Sequence, residues 1–258
     1  MKRILIASAI ALTSFSQPAL SSELPTLLTD METKGYFKII DTAPVSEVKG
    51  VTAVMVQDNS QGEFHVYWVD DEQQMIFTGD MVTAGGKNLT SNYRNKLVPS
   101  QAETFNKVFE QGLVIGNTPS DKNTDNALFL FYEPFCGYCH RLHKSLKPLI
   151  DNGLNVQYIP VAFLRPNSAD VIASVAAEKD ITKAIYMSDA RILDTNLKAD
   201  PELRARIEYN GFVMRSMGIG GTPGIVYRDS NDKVVVARGL SDNQMNEVYQ
   251  ELMSRNKG

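Results

Sequence analysis

Both cysteines of the 258-residue chain, Cys136 and Cys139, fall in the stretch FYEPFCGYCHRLHKSL, residues 131–146. Two thiols separated by two residues can cycle between dithiol and disulfide, the exchange requiring one to attack and the other to resolve. The same spacing completed by His140 is also the attachment pattern of a c-type haem. Two thiols are equally half of a zinc ligand set. Three chemistries therefore compete for one motif, and the elements around it must decide between them.

ALFLFY, residues 127–132, is an apolar run of strand length, as expected of a strand buried on both faces. Helical sequence follows Cys136 to about Asp151, with Pro148 expected to kink it. VQYIPVAF, residues 156–163, reads as the next strand, giving a βαβ unit with a right-handed crossover. Cys136 then stands at the start of a helix, where unpaired amides and the helix dipole favour an anion. That suits Cys136 as the attacking thiolate and Cys139, one turn in, as the less exposed resolving thiol. Gly220-Gly221-Thr222-Pro223 precedes the strand GIVYR, and a proline at the entry to a strand can hold a cis bond. In a thioredoxin fold such a loop packs against the Cys-x-x-Cys and leaves a backbone edge free for a substrate polypeptide.

Haem attachment needs a second axial ligand and usually a small helical domain, which the flanking strands do not provide. Zinc needs two further ligands where only His140 and His143 are near, and no second Cys pair exists. A purely structural disulfide across so short a loop constrains the unfolded chain little. Thiol exchange is the reading the context supports, with no metal and no cofactor beyond the Cys136–Cys139 couple. His140 either adds positive charge near the thiols or is a solvated helix residue; His143, one turn on, reads as surface.

The chain opens MKRILIASAIALTSFSQPALSSELP, with a basic start, an apolar run from Ile4 to Phe15 and a small-x-small site at Ala19-Leu20-Ser21. Residues 1–21 therefore read as a cleaved secretory signal peptide, and no later segment approaches the ~18 apolar residues of a membrane span. An exported, periplasmic protein is expected, in a compartment where a Cys pair is redox-active. Losing Lys2 and Arg3 takes the formal charge from −4 to −6. Residues 22–98 carry six Lys/Arg against eleven Asp/Glu, and no basic run appears anywhere, which argues against nucleic acid as a partner.

Residues 22–98 contain short alternating runs at 36–40, 51–57, 63–70 and 74–80, an antiparallel meander too small for a large core of its own. Trp68 sits mid-strand as a core residue, and His65 has no Cys, Asp or Glu cluster that would make it a ligand. Residues 99–126 read as a linker: Phe105, Val108 and Phe109 share one helix face, and GNTPSDKNTDN follows as a flexible elbow. Residues 127–258 form an α/β domain with a mixed sheet, a helical excursion over 168–217 and a final helix at 242–254.

This order, together with FCGYCH, the distal Thr222-Pro223 and the segments GKNLTSNYRNKLVP and PVAFLRPNSADVIASVAAEKD, resembles the periplasmic DsbC/DsbG disulfide isomerases over essentially the whole mature chain. Pro134-Phe135-Cys136 looks like DsbG, whereas Gly137, Tyr138 and His140 match DsbC, where DsbG has Pro-Tyr followed by Lys. The resemblance implies an α+β and α/β architecture: an N-terminal antiparallel β dimerisation domain, a linker helix, and a C-terminal thioredoxin-like domain with a helical insertion. It further implies a V-shaped homodimer joined through the N-terminal domains, exported proteins as substrates, and reduction by a membrane partner of the DsbD type. Cys136 is then the nucleophile, Cys139 the resolving thiol and Thr222-Pro223 the substrate-side loop. Gly137 and Tyr138 tune the couple, and Glu133, in the place of a family aspartate, is a candidate for proton transfer. Reduction of sulfenylated single cysteines, and a holdase activity towards unfolded chains, are the alternative functions.

Overall fold

A computed structural model describes residues 24–117, 126–237 and 239–255. The expected signal peptide and residues 118–125 of the expected elbow lie outside the described residues. Among the described residues no helix is long and apolar enough to cross a membrane.

The N-terminal unit begins with α1 (Thr26–Thr33), followed by β1 (Phe37–Pro44), β2 (Val51–Asp58), β3 (Phe64–Asp70) and β4 (Met75–Thr78). The four strands pair antiparallel in chain order, so each hairpin is a local contact and the sheet is a meander. The two-residue period sends Ala53 and Met55 of β2 to one face and Val54 and Val56 to the other. The first face packs with Trp68 against Leu89, Tyr93 and Leu97 of α2 (Leu89–Leu97). The second packs on Leu28 of α1. Two helices thus give a thin sheet an apolar layer on each side, which four strands alone lack. Trp68 is buried, with its Nε1–H donating to Gly79 O at 3.1 Å and its ring edge-on to Tyr93. His65, near the start of β3, is exposed.

Helix α3 (Gln101–Gln111) opens with a capping box: Ser100 Oγ accepts from Glu103 N–H and the Glu103 carboxylate accepts from Ser100 N–H. This is the helix expected as a linker. Its apolar face is built into the core of the second unit, where Phe105 and Phe109 lie edge-on to Phe129 and Val108 packs nearby. Its end is held as well. Arg206 donates to Gly112 O, and buried Asn210 takes Leu113 N–H while donating to the carbonyls of Leu113 and Pro160.

The second unit contains β5 (Ile115–Gly116), β6 (Ala127–Tyr132), α4 (Gly137–Asp151), β7 (Asn155–Pro160), α5 (Ser168–Ala176), α6 (Ile181–Asp189), α7 (Pro201–Ser216), β8 (Gly224–Arg228), β9 (Val234–Ala237) and α8 (Asp242–Arg255). Its sheet runs β5-β7-β6-β8-β9, with β6 and β7 parallel and the other pairs antiparallel. Central β6 is buried at every residue. Leu128, Leu130 and Tyr132 face α4 and α8, while Ala127, Phe129 and Phe131 face α3 and α7. Helix α4 continues through Pro148, which lies in its last turn; a break there removes little of the helix. The excursion is three helices, two of them started by aspartate caps: Asp180 accepts from Lys183 N–H and Asp200 from Leu203 N–H, the latter with Pro201 as first helical residue. The units touch where Gln57 donates to Ser216 Oγ at 2.8 Å and Arg215 to Ser60 O at 3.3 Å.

Candidate redox site

Strand β6 delivers the chain to the sheet's end, and Glu133, Pro134 and Phe135 turn it into α4. Pro134 has no N–H to satisfy, and Cys136 N–H closes the turn on Glu133 O at 3.0 Å. Cys136 is the N-cap residue, with extended backbone (φ −78°, ψ 109°) and no side-chain cap bond. Its thiol therefore does not compete for the first-turn amides, which remain available to stabilise charge at the helix start.

Glu133 is fully buried. Its carboxylate accepts Phe135 N–H at 2.6 Å, Leu164 N–H at 3.4 Å and the Ser168 hydroxyl. A buried carboxylate without such donors is costly; here three donors fix the loop before Cys136 to the loop before α5. None of these three bonds involves a thiol. On the opposite side of the turn, the Arg165 guanidinium lies 4.5 Å from the Phe135 ring centre.

The thiols are free and both cysteines are buried. Cys136 Sγ donates to Thr222 O at 3.3 Å, joining two loops 86 residues apart, and the Thr222–Pro223 peptide is cis. Cys139 has no exposed surface; burial is the main cause that pushes its thiol well above the usual range. Gly137 is exposed, and a methyl added there meets nothing within 4 Å, so the residues between the cysteines face open space. Tyr138 is 69 % exposed, with Arg141 at 4.3 Å from its ring centre. Tyr138 and Arg141 border a groove of about 570 Å³ that runs past Thr222 and Pro223 to Leu142 and Met245.

The structure thus brings Cys136, Cys139, Gly137, Tyr138, Thr222 and Pro223 to one end of the sheet. His140 is partly buried, its Nε2 2.8 Å from Pro134 O and 3.3 Å from Asp189 Oδ1. His143 departs from the surface position expected for it: it is 1 % exposed, with Nδ1 2.7 Å from Asp189 Oδ2. The reason is the helical excursion, which lays α6 over this face of α4, while the rings of Tyr132 and Tyr158 stand edge-on to the imidazole. Asp189 and Ser168 were not found by sequence reasoning. The spacing of His140 and His143, three residues apart on one helix face, is the only signal that a common partner exists. Among the described residues no group of three or more His, Cys, Asp and Glu side chains is arranged to hold a metal ion.

Comparison with known proteins agrees with this geometry. The model of the thioredoxin-like domain matches residues 118–250. The thiol:disulfide interchange protein DsbG of Pseudomonas aeruginosa is 26 % identical over 226 residues, 85 % of each chain. DsbG of Escherichia coli is 24 % identical over 94 % of this chain and 95 % of its own. DsbC of Salmonella typhimurium is 28 % identical over 74 % of this chain and 73 % of its own.

Proposed function

Because the chain belongs to the thioredoxin-like domain family, as a thiol:disulfide interchange protein of the DsbC/DsbG type, we propose that it isomerises or reduces non-native disulfides of exported proteins through Cys136 and Cys139. The reading rests above all on Cys136 Sγ donating to the O atom of Thr222, a residue that lines the groove. In the proposed reaction the Cys136 thiolate attacks one sulfur of a client disulfide. A Cys136–client S–S bond forms, the client S–S bond breaks, and the second client sulfur leaves as a thiolate.

Two exits follow. Another client thiolate attacks the mixed disulfide, which returns Cys136 as a thiolate and leaves a rearranged client disulfide with no net change in oxidation. Alternatively Cys139 loses its proton and attacks Cys136, releasing a reduced client and leaving the Cys136–Cys139 disulfide. The second exit needs two electrons from outside, for which a membrane reductase of the DsbD type is the proposed source. Burial keeps Cys139 protonated, so it is slow to attack. This supports rearrangement as the faster exit.

The groove past Tyr138 and Pro223 is the proposed seat of client polypeptide, and the periplasm the proposed compartment. A homodimer through the N-terminal unit is also part of the reading, supported by edge strand β4, where Met75 and Phe77 are 42 % and 47 % exposed.

Refolding of a scrambled-disulfide protein is the direct test. The wild type accelerates recovery and Cys136→Ala does not; equal rates for the two would remove Cys136 from the role. Cys139→Ala traps clients as mixed disulfides. Captured proteins with two or more cysteines support isomerisation, whereas capture confined to single-cysteine proteins supports reduction of sulfenic acids instead.

A further inference from the structure

We propose that Asp189, 53 residues beyond Cys136 and on the inserted helix α6, is a positioning residue for the redox couple, acting through His140 on the loop that presents Cys136. The inference rests on the reading of Cys136 and Cys139 as the redox pair.

Hydrogen-bond chemistry at three atoms carries it. His140 Nε2 faces two oxygens, Pro134 O at 2.8 Å and Asp189 Oδ1 at 3.3 Å. A carbonyl and a carboxylate only accept, so Nε2 must hold the proton. His143 Nδ1 faces Asp189 Oδ2 at 2.7 Å, and by the same reasoning its Nδ1 is the protonated nitrogen. One carboxylate, its side chain 10 % exposed, therefore takes the Nδ1–H of His143 and lies 3.3 Å from the His140 Nε2 that donates to Pro134 O, the two imidazoles standing a turn apart on α4. A carboxylate that fixes the tautomer and ring orientation of a histidine is a recurrent device of catalytic sites.

Here the oriented ring does not touch substrate. It donates to Pro134 O, two residues before Cys136. Glu133 holds the same turn from the other side through Phe135, Leu164 and Ser168. The turn is clamped twice, by the buried Glu133 directly and by the part-buried Asp189 through His140, and the second clamp belongs to the helical excursion. His143 anchors the arrangement from beneath, where Tyr186 Oη also donates to its carbonyl at 3.0 Å. The other titratable groups facing this cluster are Tyr132 of β6, Tyr158 of β7, Cys136 and Cys139 of the redox turn, and Arg191, which borders the small cavity beside His140. Burial pushes the phenols of Tyr132 and Tyr158 well up, so neither competes with the carboxylate, as an anion, for the imidazole N–H groups.

The experiment is a double-mutant cycle on the reduced–oxidised equilibrium of Cys136–Cys139 with glutathione. Asp189→Asn shifts the equilibrium constant by about three-fold or more relative to wild type. His140→Gln, whose amide can still donate to Pro134 O without a tautomer to be fixed, makes the protein indifferent to Asp189→Asn. A structural role alone lowers the melting temperature but leaves the equilibrium constant alone. Two results overturn the proposal: an unchanged constant in Asp189→Asn, or the same shift in the His140→Gln background as in wild type. Should Asp189→Asn fail to fold, imidazole ¹⁵N chemical shifts of the wild type decide, since a proton-free His140 Nε2 overturns the clamp and a protonated one supports it. A wild type that does not exchange with glutathione at all would instead sink the redox reading beneath it.

Discussion

The hydroxyl of Tyr132 is buried without a hydrogen-bond partner, its ring edge-on to that of His143. Leaving a buried polar atom unmet costs about 1–3 kcal/mol, whereas an apolar group of the same shape carries no such penalty. Tyr132→Phe is therefore expected to raise the melting temperature with redox exchange intact; a clear drop in thermal unfolding would show that the hydroxyl has a partner. At this scale sequence reading was strongest where chemistry is local. Cys136 and Cys139 announce themselves by spacing, and Thr222-Pro223 by its place before a strand. Asp189 is illegible for the opposite reason. Nothing in YMSDARIL distinguishes this aspartate from a solvated helix end, and only the fold of the excursion brings it under two histidines. His143 was misjudged on the same ground, since burial here is imposed by a helix some 40 residues away. Glu133 shows a milder case: its position was legible, but its partners Leu164 and Ser168 were not.

Helix α2 and the loop between β1 and β2 are joined by a small acid-sensitive tie. Glu47 accepts from Lys87 Nζ at 2.5 Å, from Ser46 Oγ at 2.9 Å and from Tyr93 Oη at 3.2 Å. The Lys87 ammonium chiefly holds the Glu47 carboxyl down at about 2, from an ordinary 4.5. A carboxyl depressed in the folded state binds its proton more readily once unfolded. Its contribution is therefore complete above pH 4.5 and is lost as pH falls towards 2. The N-terminal unit is expected to lose stability across that window, and Glu47→Gln to flatten this part of the denaturation curve; identical curves would show that the tie contributes nothing. Most elements were legible from periodicity: the meander, the buried strand before Cys136, the helix after it and the three helices of the excursion. Helix α2 is not legible as a helix in the sequence, although Asn88 caps it and Leu89, Tyr93 and Leu97 share a face. Its nine residues give periodicity little room. Helix α3 was read as a helix, but an apolar stripe does not say what it packs on.

For the whole molecule, the homodimer proposed above would add a second copy at edge strand β4, where unpaired backbone and exposed Met75 and Phe77 lie together. Phe77→Asp is expected to convert the proposed dimer to a monomer in sedimentation equilibrium while leaving glutathione exchange at each Cys136 unaltered; a wild type of the same mass as the variant would remove β4 from the contact. The clamp of Asn210 and Arg206 on the end of α3 bears on how such an assembly carries load. With α3 welded to the second unit, a tug between the two units is not spread along a compliant linker. It meets the short segment Val98-Pro99 as a fulcrum and the Gln57–Ser216 and Arg215–Ser60 contacts as a latch. The hydrogen bonds that aim Cys136 all lie within the second unit, so breaking the contacts between the units leaves that aim untouched.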